Sequence, residues 1–413
     1  MIVRKIRPEE FKRTEELFSV AFEFPYDCDQ DERTRYHEKD RNPQSREDAY
    51  LLEKYAAFED DDETMTGCVS ALRFPMNFDG ETVLMAGIGG VSSLPQYRRR
   101  GGIRGCFTAM LPDLYREKVL FSYLYPFSTA YYRKFGYEMG CRGVEHELKL
   151  AFIPNYGTKG SCILAEPGNR AALAWDVRSA YELWKSRYNL MICNESWEYR
   201  FLSEADPFKK QEYTYLYRNE NGTVTGFMTF VKVKKETQQK LICSRFIYTD
   251  TDALKGLLEL AGTFASDHVS ITFTLPENCE LEPLLPELSF GACSRQLKNL
   301  GMIRVINVQQ VLYTAVYRGS GELQIQVTDD LITENNAVFH VVFENGAAVS
   351  VERVDSENAA VQVRMKISEF SRYIAGCSDP STMLLNPEII IDCRMEEVTK
   401  VFYRKNCFIM EYF

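Results

Sequence analysis

The sequence predicts an α/β and α+β protein of three consecutive units. Three observations carry that prediction. At 413 residues the chain exceeds one ordinary hydrophobic core, so two or three domains are expected. A buried strand runs through Ala86-Gly-Ile-Gly-Gly-Val-Ser-Ser-Leu-Pro-Gln-Tyr-Arg-Arg-Arg-Gly-Gly-Ile-Arg104 into a helix, the order of an α/β unit. From about residue 300 the pattern changes to alternating strands with short helices, an α+β pattern.

The elements follow in order. Residues 1–6 read as a strand, and Pro8-Glu-Glu opens a helix whose apolar face is Phe11, Leu17, Val20 and Ala21. Pro25 ends that region, and Phe22-Glu-Phe-Pro-Tyr26 has two readings: aromatics lining a pocket, or a helix end packed on the core. Residues 29–48 are polar and read as a solvated helix and loop. Strands near 50–58, 65–75 and 82–93 follow, separated by the acidic run Glu59-Asp-Asp-Asp-Glu63 and the turn Asn77-Phe-Asp-Gly80. Ile103, Phe107, Met110, Leu111 and Leu114 recur at helical spacing over about 101–117, where Pro112 is expected to kink the helix or end its regular part early. Val119 to Tyr125 is a buried strand, Ser128 to Phe135 a short helix capped by Gly136, and Tyr137 to Leu150 a further strand. These elements make a first domain of residues 1–150.

A second domain, 151–298, holds a helix at about 169–186 (Leu173, Val177, Tyr181, Trp184) and a hairpin turning at Asn219-Glu-Asn-Gly222. Its strand near 241–248 and helix near 252–265 repeat the earlier strand-to-helix step, but the turn Tyr248-Thr-Asp-Thr-Asp252 has no glycine or arginine. Aspartates there would repel a pyrophosphate. The third domain, 299–413, shows strands at Leu323/Ile325/Val327, Val338/His340/Val342, Val349/Val351 and Val361/Val363/Met365, with helices near 306–315, 367–374 and 394–402.

Composition excludes several classes. The hydrophobic fraction of 45% and charged fraction of 26% are those of a globular protein. No apolar run reaches the roughly 18 residues of a membrane helix, and MIVRKIRPEEFKR turns charged too soon for a signal peptide, so a cytoplasmic protein is expected. Twelve cysteines, scattered singly from Cys28 to Cys407, fit reduced thiols. The sequons Asn194-Glu-Ser196 and Asn221-Gly-Thr223 are then chance matches. A net charge of −10 argues against nucleic-acid binding and suits a cationic small molecule or peptide.

No GxxxxGK[ST], HExxH or GxSxG occurs, and His37, His146, His268 and His340 lack metal-ligand spacing, so no metal is expected. Gly87-Ile-Gly-Gly-Val-Ser92 fails as a dinucleotide fingerprint because its last glycine is missing and no helix follows at once. Lys232, Lys234 and Lys235 read as a solvated strand edge. What remains is Arg98-Arg-Arg-Gly-Gly-Ile103. A helix start offers unpaired N–H groups and the positive end of the helix dipole, glycines admit an anion close to the backbone, and arginines add charge-assisted donors. The turn is built for a phosphate-bearing cofactor.

The stretch Val91-Ser-Ser-Leu-Pro-Gln-Tyr-Arg-Arg-Arg-Gly-Gly resembles the acetyl-CoA motif Q/R-x-x-G-x-G/A of the GCN5-related N-acetyltransferases (GNATs), matching at Arg98 and Gly101 and departing at Ile103. Over essentially its full length the chain resembles the Eis (enhanced intracellular survival) branch. That branch joins an active GNAT domain, a second GNAT-like domain without the cofactor motif, and a sterol-carrier-like domain. Tyr132-Arg-Lys-Phe-Gly-Tyr137 is similar to the branch's Y-x-R-F-G-Y string, with Lys134 replacing the arginine. The resemblance implies that Tyr132 donates the proton to the leaving thiolate and that the terminal carboxylate of Phe413 is the base.

The resemblance also implies aminoglycoside-like or lysine acceptors and a homo-oligomer, a hexamer. Acetyl-CoA as co-substrate is expected on Val91, Ser92, Ser93, Arg98, Arg99, Arg100, Gly101, Gly102, Ile103, Arg104, Phe127 and Ser128, and the amine acceptor beside Phe22, Phe24 and Tyr26. Two rivals stay open: another acyl-CoA donor, and a ligand-binding or regulatory protein with a vestigial site.

Overall fold

The computed structural model describes residues 1–27, 52–193, 200–235, 238–288, 291–355 and 359–413. The polar stretch 29–48, Cys28, His37 and the sequon at Asn194 lie outside the described residues. Two compact units emerge: Met1–Cys141 with Gly301–Lys405 and Ile409–Phe413, and Arg142–Leu300 with Asn406–Phe408.

The first unit opens with β1 (Ile2–Lys5) and a 3-10 turn, Pro8–Glu10, leading into α1 (Phe11–Phe22). Pro8 takes the first position of the turn, where its missing N–H is not needed. Phe11, Thr14, Leu17 and Phe18 form the buried face of α1. Val20, assigned to that face from the sequence, is exposed. Nine residues beyond Phe11, it points to the opposite side of a helix with 3.6 residues per turn, and Phe18 takes the core position.

Next come β2 (Leu52–Phe58), β3 (Met65–Phe78) and β4 (Glu81–Ser93), an antiparallel meander joined through tight turns. Asp79 and Gly80 adopt the left-handed conformation that closes the second of these turns. Helix α2 (Gly102–Arg116) then crosses over to β5 (Phe121–Leu124), which pairs parallel to β4 from Met85 to Ile88. Contrary to the expectation of an early end, α2 continues through Pro112 to Arg116, held on both sides of the proline by buried Met110, Leu111 and Leu114. A one-turn helix, α3 (Thr129–Arg133), leads into β6 (Glu138–Lys149). The core lies between α2 and the sheet, where Phe107, Met110 and Leu111 pack with Ala86, Ile88 and Tyr132.

In the second unit the elements are β7 (Ser161–Leu164), α4 (Arg170–Lys185), β8 (Glu212–Arg218), β9 (Val224–Lys235), β10 (Gln238–Tyr248), α5 (Thr251–Gly262), β11 (Ser270–Pro276) and β12 (Cys293–Val305). The sheet runs β6-β11-β10-β9-β8-β7, with only β10 and β11 parallel. Leu173, Val177, Tyr181 and Trp184 are buried along α4, as their spacing predicts. Lys232 and Lys234 are exposed on alternate positions of β9.

The end of β12, from Gly301, belongs to the first unit, where Met302 to Val305 pair with β5. There the chain continues through α6 (Val308–Thr314), β13 (Gly321–Thr328), β14 (Ala337–Glu344), β15 (Ala347–Val354), β16 (Val363–Lys366), α7 (Ile367–Ile374), β17 (Ile390–Ile391) and α8 (Met395–Val401). Its sheet order is β15-β14-β13-β16-β17. The buried face of β14 is Phe339, Val341 and Phe343, not the Val338/His340/Val342 face expected from alternation, although Val338 is also buried. Both phases of this strand are apolar enough to pass for its core face, and pairing with β13 selects one. Among the described cysteines, Cys68, Cys106 and Cys141 are buried free thiols.

Candidate active site

The site begins where two parallel strands part. β4 stays paired to β3 as far as Ser93, but its pairing to β5 ends at Ile88. Between the partners of Ser70 and Cys68, β4 carries one extra residue, a bulge that turns the strand out of the ladder. Gly90 supplies the left-handed φ of 58° there, and a Cβ on it would lie 2.6 Å from the Phe18 ring. Past the bulge, Val91, Ser92 and Ser93 line a cleft of about 820 Å³.

The far side of the cleft is the turn into α2. Arg99 and Gly101 both have positive φ, 65° and 90°, and Gly101 is the N-cap, with no side chain to satisfy the helix start. The first intrahelical bond is Gly105 N–H to Gly101 C=O at 2.9 Å, which leaves the amides of Gly102, Ile103 and Arg104 without an intrahelical acceptor. A Cβ on Gly102 would lie 3.2 Å from that of Ala57, so this glycine lets the helix start approach β2.

Arg98, Arg99, Gly101, Gly102, Ile103 and Arg104 all line the cleft, as does Phe127. Lys134 joins Arg98, Arg99 and Arg104, so among the described residues four cationic side chains and no carboxylate face the space. With the open helix start, this is a strongly anion-selecting surface in a chain of net charge −10.

Several expected residues lie elsewhere. Arg100 turns away to pair with Glu59 at 3.4 Å and sits over the Tyr97 ring. Ser128 is engaged as the N-cap of α3, accepting from the Tyr131 amide. Phe22 lines this cleft, whereas Phe24 and Tyr26 are not among its lining residues. Glu23, in the left-handed conformation at the end of α1, redirects the chain between Phe22 and these two residues. Sequence reasoning missed Thr66, Tyr97, Tyr131, Lys134 and Phe135. Tyr131, Lys134 and Phe135 were within reach, since they flank or belong to the Tyr132 string. Thr66 enters from a neighbouring strand and leaves no local signal.

Tyr132 lies on α3 behind the cleft wall, only 2% exposed, with its ring against Phe107, Phe127, Tyr131 and Tyr137. Its hydroxyl has no hydrogen-bond partner among the described residues. Burial pushes its pKa above that of a free phenol, so it stays protonated. Arg133 and Glu138 tie α3 to β6 through two hydrogen bonds of 2.8 Å. Burial raises the Glu138 pKa, but the Arg133 bonds, the Met139 amide and the charges of Arg133 and Arg372 together outweigh it and hold the carboxylate below its usual range.

The last residues of the chain reach the same strand. The Tyr125 hydroxyl donates to the Glu411 carbonyl, and its ring stacks on Tyr412 at 4.4 Å. The Phe413 ring lies 5.3 Å from Phe74, and its carbonyl carbon is 3.1 Å from where a Cβ on Gly89 would stand. Gly89 precedes Val91 by two residues, about 7 Å along a strand. Phe413 and the cationic cleft are thus brought together on β4. Among the described residues no cluster of His, Cys, Asp or Glu fits a metal ion.

Known proteins share this architecture. Residues 2–140 and 192–305 each match a family model described as an acetyltransferase (GNAT) domain, and residues 308–398 one described as a sterol carrier protein domain. No curated protein matches the chain. A protein of unknown function from Enterococcus faecalis V583, described as a probable N-acyltransferase, is 20% identical, with a TM-score of 0.81 over 100% of this chain and 99% of its own. The GCN5-related N-acetyltransferase from Anabaena variabilis ATCC 29413 is 17% identical, with a TM-score of 0.82 over all of both chains. Eis1 from Mycobacterium abscessus is 15% identical, with a TM-score of 0.77, again over all of both chains. The fold is two tandem GNAT domains followed by a sterol-carrier-like domain.

Proposed function

We propose that this chain, an acetyltransferase built on GNAT domains in the Eis-type arrangement, carries the acetyl group of acetyl-CoA to a primary amine on a cationic small molecule, aminoglycoside-like, or on a lysine or peptide. One observation carries this reading: a cleft that, among the described residues, has four cations, no carboxylate and an open helix start lies on the strand that Phe413 also reaches. Arg98, Arg99 and Arg104 with the Gly102–Arg104 amides hold the pyrophosphate, each charge-assisted bond contributing about 1.5–3 kcal/mol. The strand amides at Val91 and Ser93 hold the acetyl and pantetheine part.

The acceptor arrives as an ammonium, with a pKa of about 10.4, and must lose a proton before it attacks. The Phe413 carboxylate takes that proton, directly or through water. Tyr132 gives its phenolic proton to the departing sulfur, whose thiol pKa is about 8.5. Alignment of the two substrates by the cleft supplies much of the rate. The acidic chain favours a cationic acceptor. The Eis-type resemblance adds a homo-oligomer, a hexamer, in the cytoplasm, and no helix among the described residues is long and apolar enough to cross a membrane.

The test is turnover with acetyl-, propionyl- and longer acyl-CoA across a panel of mono- and polyamines. Acetyl-CoA with polycationic amines is expected to give the highest kcat/KM. CoA binding without turnover of any amine would favour a vestigial site instead.

A further inference from the structure

The Gly87-Ile-Gly-Gly90 stretch is no dinucleotide fingerprint, yet a row of glycines in a buried strand calls for a reason, because glycine weakens a strand unless something must come close to it. Alternation along β4 sends Ala86 and Ile88 into the core beneath α2 and turns Gly87 and Gly89 to the opposite face. On that face the register sets Gly87 beside Leu72 of β3 and Tyr123 of β5. Two residues further along each neighbour stand Phe74 and Tyr125. The glycines therefore leave a bare lane between Leu72 and Phe74 on the β3 side and Tyr123 and Tyr125 on the β5 side, with the small Ser70 beside Gly89.

Phe413 fills that lane. A Cβ on Gly87 would lie 2.7 Å from two carbons of the Phe413 ring and 2.7 Å from Phe74, distances that real contacts do not reach. A Cβ on Gly89 would meet only the Phe413 carbonyl group, at 3.1 and 3.4 Å. The ring is boxed by Phe74, Tyr123 and Tyr125 at centroid distances of 5.3, 6.4 and 5.5 Å. Tyr123 is fixed in turn by accepting the Cys141 amide at 2.9 Å. Neither Gly87 nor Gly89 has a positive φ, unlike Gly90, so the strand itself would accept alanine at both positions. Their requirement is for space alone.

We propose that Gly87 and Gly89 are positioning residues: with Phe74, Tyr123 and Tyr125 they form a seat that takes an aromatic chain-terminal residue and holds its carboxylate beside the cofactor cleft. The catalytic consequence rests on the reading of Phe413 as the base; the seat itself does not.

Two readouts separate these. Carboxypeptidase A releases exposed C-terminal aromatics, so release of Phe413 reports the seat without any turnover. In Gly87→Ala, release is expected at least tenfold faster than in wild type, with kcat at least tenfold lower and the acetyl-CoA KM within twofold. Gly87→Ala combined with Phe413→Leu, a smaller terminal side chain, should recover part of the lost kcat. Gly89→Val, whose extra bulk is directed at Phe413, should give the same pattern and serves if Gly87→Ala melts well below wild type. Faster release with unchanged kcat would uphold the seat and remove Phe413 as the base. Equal release from wild type and both variants would overturn the seat.

Discussion

The two GNAT domains solve the same strand-to-helix step in opposite ways. In each, two parallel strands flank a crossover helix and part company: β4 and β5 after Ile88, β10 and β11 after Ile242. Each leading strand also carries an irregularity, at Gly90 in β4 and between Cys243 and Arg245 in β10. The difference lies at the helix start. In the first domain Gly101 caps α2 with no side chain, and arginines surround the open amides. In the second, Asp250 accepts from the Ala253 amide at 2.7 Å and Asp252 accepts from the Tyr217 hydroxyl at 2.6 Å. A helix start that supplies its own anion has no place for a ligand's. Beyond that turn, Tyr188, which follows α4, and Tyr248, the last residue of β10, contact the Cys279 sulfur at 3.8 and 3.4 Å.

Four experiments would break or sharpen this contrast. The largest effect is expected at Tyr132, the proton donor proposed for the first domain: Tyr132→Phe should lower kcat by about 10²–10⁴-fold and leave the acetyl-CoA KM nearly unchanged. Next, removing the first domain's charges with Arg98→Ala and Arg99→Ala together should raise the acetyl-CoA KM about 100-fold, with a weaker salt dependence than wild type. Normal affinity in that double variant would erase the distinction between the two turns.

The third concerns a group confined to the second domain's core. His146 is fully buried, stacked on Phe273, with neither ring nitrogen hydrogen-bonded among the described residues, and burial, reinforced by Arg295, lowers its pKa to about 4. Between about 6.5 and 4 the unfolded chain binds a proton that the folded domain does not, so stability falls as pH falls through that window. Roughly 2 kcal/mol should be lost between pH 7 and 5, and His146→Phe should remove that dependence in urea titrations at the two pH values. The smallest effect belongs to the cap: Asp250→Ala should cost about 1 kcal/mol and leave the acetyl-CoA KM unchanged, because Asp252 still places a carboxylate at that helix start.

Much of this was legible in the sequence because it is punctuated locally. Pro95, the arginine run and Gly101 mark the turn, and helical spacing along Ile103–Leu114 marks the helix that follows. The short helix that carries Tyr132 was legible through its string of neighbours. What escaped depended on partners distant in the chain. Nothing near Arg100 reveals that Glu59 draws it out of the cleft, and nothing near Gly87 and Gly89 reveals that Phe413 lies across them. Phase was the other loss: β14 is apolar on both faces, and α1 needed Phe18 rather than Val20 to complete its stripe.

The central claim is that the Phe413 carboxylate and the arginine turn act on one reaction. Extending the chain past Phe413 by two glycines moves the carboxylate and leaves the cleft intact. The account predicts that acetyl transfer falls at least about 100-fold while the Kd for CoA, measured by titration calorimetry, stays within twofold. Wild-type turnover by the extended protein would contradict it.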